Sequence, residues 1–158
     1  MTRPEAGALE RCVGSGQRFL DRFWTRAPLH HRDPGGQSFD DLLTLSGVDH
    51  ILSTMSLRTP AFRLVKDGAT LDPGSYTKTG RTGSTDISGL ADPARIFQQF
   101  QQGATIVLQG MHRYWAPLAR FCRDLELVLS HPTQANAYIT PPGSRGLAIH
   151  SDSHDVFV

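Results

Sequence analysis

The sequence predicts an α+β chain in which helices come first and strands last. Apolar residues recur at intervals of three and four through the opening third and again around residues 93–103 and 115–129. Stretches such as TPAFRLVK, ATIVLQG and QANAYIT are instead β-branched or alternating, and Gly, Pro, Asn and Asp punctuate the chain between them. With 158 residues, 39% of them hydrophobic, the chain has the size and apolar content of one domain, residues 1–158. A formal net charge of +1 gives no field that would draw nucleic acid, so no direct nucleic-acid binding is expected.

The first element is carried by RFLDRFWTRAPLHHR, where Phe19, Leu20, Phe23 and Trp24 share one helical face and Pro28 sets a limit. In SFDDLLTLSGVDHIL, Ser38 is the expected N-cap of a short helix through Phe39, Leu42, Leu43 and Leu45, with Gly47 as its break. This helical lead-in covers about residues 1–56. Phe62 and Leu64 then alternate with polar neighbours up to Asp67-Gly68, which reads as strand followed by turn. Residues 72–89, DPGSYTKTGRTGSTDISG, are so rich in Gly, Ser and Thr that a mobile loop is expected.

Asp92 and Pro93 suit the N-cap and first position of a helix that presents Ile96, Phe97 and Phe100 until Gly103. ATIVLQG is a buried-strand candidate, and Trp115, Leu118, Cys122, Leu125 and Leu129 draw an apolar stripe along the next helix. The end turns to β again, with QANAYIT, a PPGSRG turn and LAIHSDSHDVFV. Cys12 and Cys122 lie far apart with no CxxC spacing, which fits a reducing compartment better than a disulfide framework. Neither a signal-peptide core nor an apolar run of the roughly 20 residues that span a bilayer is present, so no membrane association and a cytoplasmic setting are expected.

The chemistry concentrates at His150, Asp152, His154 and Asp155. On a strand, His150 and Asp152 would face the same way with Cα atoms roughly 6 to 7 Å apart, close enough for an imidazole nitrogen and a carboxylate oxygen to meet on one ion. Two histidines and a carboxylate on one face are the ligand set of non-haem Fe(II) oxygenases. His154 shares that face, but its Cα would stand roughly 13 Å from that of His150, so a third ligand is expected from another strand.

The stretch from TIVLQGMHRYWAPLARFCRDLE through QANAYITPPGSRGLAIHSDSHDVFV resembles the cupin-like JmjC oxygenases of the ribosomal oxygenase family. The matching residues are Asn136, Tyr138, Thr140, Pro141, Gly143, Ser144, Gly146, His150, Asp152, Asp155, Val156 and Phe157, and FLDRFWTRAPLHHR is similar to the family's entry segment. The resemblance implies a double-stranded β-helix (jelly roll) that starts at about residue 104 and runs to 158. It implies Fe(II) held by His150, Asp152 and a later His, and 2-oxoglutarate as cosubstrate, with Asn136 and Tyr138 close to cosubstrate or substrate. A protein substrate of ribosomal type is the partner the resemblance implies.

In that family the third ligand and the basic residue that grips 2-oxoglutarate lie downstream of HxD. His30, His31, His50, His112 and His131 lie outside the matched motif. The expectation is therefore the N-terminal portion of a dioxygenase domain, without turnover by itself. Two alternatives stay open: a non-catalytic cupin-fold module for binding or homodimerisation, and a cupin acting on a small molecule without 2-oxoglutarate.

Overall fold

A computed structural model describes residues 7–32 and 38–158. Helices α1 (Ala8–Val13) and α2 (Gly16–Arg22) open it, the second under Ser15, whose hydroxyl accepts the Arg18 N–H. Of the expected lead-in, residues 1–6 and 33–37 lie outside the described residues. The helix expected to start at Ser38 is displaced: residues 40–42 form a turn, and helix α3 (Leu45–Thr54) begins after Thr44. Thr44 Oγ1 accepts the Gly47 N–H at 3.0 Å, so Gly47 sits in the first turn rather than ending the helix. Val48, Ile51 and Leu52 follow at helical spacing and are buried, and that continuous apolar face outweighs the glycine.

Strand β1 (Phe62–Lys66) and the short β2 (Ala69–Thr70) are joined through Asp67 and Gly68, both with positive φ as a primed hairpin turn requires. Residues 72–89 correct the expected mobile loop. They hold a single 3-10 turn at Pro73–Ser75, then β3 (Thr77–Thr82) and most of β4 (Thr85–Ala91), paired antiparallel. The two-residue Gly83-Ser84 turn puts Gly83 at φ 60°, and the threonines on either side suit a ladder. Both strands expose most of their side chains, which is why composition alone resembled a loop. The hairpin is anchored at its base, where Ala91 N–H donates to Leu57 O and the buried Tyr76 ring meets Phe62.

Helix α4 (Pro93–Gln101) starts as expected, with Asp92 as N-cap accepting from the Arg95 N–H and Pro93 at its first position. Strand β5 (Thr105–Leu108) is buried along its whole length, helix α5 (Ala116–Leu129) carries the apolar stripe, and β6 (Ala137–Ile139) is the last strand. The antiparallel sheet runs β2-β1-β5-β6. Register puts Phe62, Leu108 and Ala137 in one row and Leu64, Ile106 and Ile139 in the next, all facing the core shared with α3 and α4. Arg63, Val107 and Tyr138 form a row on the opposite face. A second core joins Leu9, Val13 and Phe19 of the N-terminal helices to Leu125 and Leu129 of α5. The architecture is α+β, consistent with part of a jelly roll.

Residues 141–158 do not continue the sheet, which corrects the strand expected over LAIHSDSHDVFV. Among the described residues nothing pairs with them, and an extended segment without a ladder leaves its N–H and C=O groups to water. The segment still packs back on the fold: Ser144 Oγ lies 3.0 Å from the point a Cβ on Gly103 would occupy, and Ala148 Cβ lies 3.4 Å from that point on Gly68. Among the described residues no helix is long and apolar enough to cross a membrane.

Candidate functional site

Strand β6 delivers the chain to the candidate site. Thr140, just beyond it, shares a 2.9 Å hydroxyl hydrogen bond with the fully buried Thr105 of β5. Pro141 to Ser144 then close a turn through the Ser144 N–H and Pro141 O, with Gly143 at φ 76°. Beyond it His150 and Asp152 stand about half exposed, with His150 Nε2 3.7 Å from Asp152 Oδ1.

The other imidazole nitrogen decides the chemistry of this pair. His150 Nδ1 lies 2.8 Å from Ala148 O, and a carbonyl only accepts, so Nδ1 carries the proton. In the neutral imidazole the Nε2 lone pair then faces a carboxylate oxygen, two acceptors that a cation between them satisfies; in the imidazolium Nε2 instead donates to that carboxylate as an ion pair. Right-angle ligands at bonds of about 2.1 Å stand about 3.0 Å apart, so the pair has about 0.7 Å to close, within reach of exposed side chains. His154 is turned away to the Asp155 carbonyl, its Nδ1 3.2 Å from that oxygen. Among the described residues no group of three or more His, Cys, Asp or Glu could hold a metal.

Asn136 and Tyr138 leave β6 on one side, both exposed. Asn136 Oδ1 accepts the Gly110 N–H at 2.9 Å, which ties the start of β6 to the end of β5 and turns the amide NH2 outwards. Asn136 lines a cavity of about 670 Å³ walled by Phe19, Trp24, Leu118, Phe121 and Asp155 to Val158; His150, Asp152 and Tyr138 do not line it. The chain thus brings His150 to Asp152 but does not gather Asn136 and Tyr138 with them in one cavity.

Of the remaining histidines, His112 accepts the Ala135 N–H through Nδ1, and the rings of His131 and His50 lie against Trp24 and Trp115. Burial raises the Cys12 and Cys122 thiols above their ordinary range, so neither is an activated nucleophile. Sequence reading missed Tyr114, whose buried hydroxyl has no partner and whose pKa burial pushes up to about 12. It also missed Arg58 and Arg113, which line a second cavity with Tyr114 and Asn136. Arg113 and Tyr114 are neighbours in the chain, but no spacing in the sequence links them to Arg58.

Residues 110–158 match the JmjC domain family. The chain is 32% identical over 142 residues to the bifunctional lysine-specific demethylase and histidyl-hydroxylase NO66 of Branchiostoma floridae, covering 90% of this chain and 22% of that protein. It is 29% identical over 144 residues to ribosomal oxygenase 1 of Gallus gallus, with the same two coverages. The NO66 protein of Dictyostelium discoideum is 23% identical over 140 residues, 89% of this chain and 26% of that one. Along about 90% of its length the chain is thus similar to JmjC ribosomal oxygenases. The JmjC match opens at Gly110, directly after β5, and takes in Asn136, Tyr138, His150 and Asp152. The chain spans about a fifth to a quarter of the length of these curated relatives.

Proposed function

We propose that this chain forms part of a Fe(II)- and 2-oxoglutarate-dependent dioxygenase that hydroxylates a side chain of a ribosomal-type protein, with His150 and Asp152 as two iron ligands. The observation that carries the reading is the approach of two ligand-type groups of the HxD pair, His150 Nε2 and Asp152 Oδ1, to 3.7 Å of each other. The names of the relatives, a histidyl-hydroxylase and a ribosomal oxygenase, support the substrate class. Bound iron supplies dioxygen activation at the expense of 2-oxoglutarate. This chain's residues hold and orient: the Ala148 carbonyl fixes the imidazole so that Nε2 meets the ion, and the Thr105–Thr140 bond fixes the strand from which the segment departs. Asn136 and Tyr138 are proposed to orient cosubstrate or substrate, through an outward amide and an exposed phenol.

Residues 1–158 by themselves are proposed to bind iron weakly and to release no succinate from 2-oxoglutarate, since the described residues offer two ligands and no third. Titration of the 158-residue chain with Mn(II) as a paramagnetic stand-in tests the site. Broadening should centre on the His150 and Asp152 resonances and disappear in His150→Ala and Asp152→Ala; broadening that both variants leave unchanged would remove the metal site. A cytoplasmic setting is part of the proposal and draws support from two free cysteines.

A second reading, a module that binds or dimerises without catalysis, draws on the outer edge of β6, which has no strand partner among the described residues. Sedimentation that gives a metal-indifferent dimer, with no Mn(II) broadening at His150, would favour it.

A further inference from the structure

Beside Asn136, away from His150 and Asp152, lies a cavity of about 430 Å³ lined by Arg58, Gln109, Arg113, Tyr114, Gln134 and Asn136 together with Pro60, Ala61 and Gly110. Its walls hold two cations, three amides and a phenol, and no carboxylate. Neither arginine has an ion-pair partner among the described residues. Each is held from behind instead. Arg58 Nε donates to Ser88 O at 3.0 Å, which leaves its two terminal nitrogens uncommitted. Arg113 lies across Gly110, its Cδ, Nε and Cζ 3.6 to 3.9 Å from the point a Cβ there would fill.

One polar group of the lining is a donor without an acceptor. The Tyr114 hydroxyl is buried without a partner, an arrangement that costs stability until an acceptor arrives. We infer that this cavity is a subsite for a phosphate monoester, taken between the Arg58 and Arg113 guanidinium groups with Tyr114 as an additional donor. Arginine forks match the oxygens of a tetrahedral phosphate, and two cations match its dianion. A cavity of this volume is about 9 Å across if spherical, wide enough to admit the group and narrow enough for both side chains to reach it. The subsite does not depend on iron or on hydroxylation.

The test is a calorimetric titration of the 158-residue chain with inorganic phosphate in dilute salt, where screening is weak. Saturable binding is expected, weakened about tenfold in both Arg58→Gln and Arg113→Gln and unchanged in Arg81→Gln, an exposed arginine of the β3–β4 hairpin. Arg58→Gln also removes the bond to Ser88, so Arg113→Gln, which disturbs no hydrogen bond of the fold, is the decisive variant. A phosphoserine peptide that binds more tightly than free phosphate would show that the group arrives on a polypeptide; equal affinity would show a small-molecule ligand. Absence of saturation, identical affinity in both glutamine variants and wild type, or displacement of phosphate by equimolar 2-oxoglutarate would overturn the assignment.

Discussion

Thr105 is the one buried polar residue of the described core, and its hydroxyl meets that of Thr140 at 2.9 Å. Replacing Thr105 by Val removes one hydrogen bond, worth about 1 kcal/mol net, and strands the half-buried Thr140 hydroxyl against the new methyl. The added burial of a methyl group at a fully enclosed position returns part of that, so the single variant should lose about 1 to 1.5 kcal/mol. Thr140→Val should lose a similar amount, because it strands the more deeply buried Thr105 hydroxyl. The double variant leaves no orphan, since two apolar groups of the same shape replace a satisfied pair. It should cost less than about 1 kcal/mol, so that the coupling between the sites exceeds about 1 kcal/mol. Urea unfolding of all four proteins measures this, and the m-values should agree, because the exposed surface does not change. Additive single losses would mean that the pair is not a closed hydrogen bond and that the segment leading to His150 is not fastened to β5 at this point.

Ile106 faces the core in the central strand and is 1% exposed, whereas Leu127 on the outer side of α5 is 74% exposed. Ile106→Ala should cost about 3 kcal/mol and lower Tm by about 6 to 12 °C in calorimetry, while Leu127→Ala should stay within about 0.5 kcal/mol. Asp92→Ala removes the acceptor of the Arg95 N–H at the start of α4 and a 3.4 Å ion pair with Arg95, so urea unfolding should show a loss of about 1 kcal/mol. Tyr114 is pushed up to about 12 in the fold from an ordinary value of 10. Its contribution to stability is therefore complete below pH 10 and is lost as pH rises towards 12; a Tyr114→Phe variant should show a smaller alkaline decline in stability. If both proteins decline alike above pH 10, burial of the phenol is not the cause.

The sequence by itself determined the elements whose signals are local. Asp92-Pro93 starts a helix because the cap and the proline act within one turn, and Thr105–Leu108 forms the buried strand because its β-branched and apolar residues suit a ladder with two covered faces. Asp67-Gly68 turns the chain because both positions tolerate positive φ. The HxD pair was legible for the same reason, as ligand types two residues apart; yet the strand expected to present them is absent, since a strand is made by its partner. Tertiary structure decided what depends on distant residues. The 77–91 hairpin needs its base held by Leu57 and Phe62, and the second core needs α5 to meet helices from the other end of the chain. Arg58 and Arg113 reach one cavity only because β5 lies between β1 and β6, so that the ends of those strands bring Ala61, Gly110 and Asn136 together. Such proximity leaves no trace in spacing or periodicity, because the packing of sheet and helices, not the run of neighbouring residues, creates it.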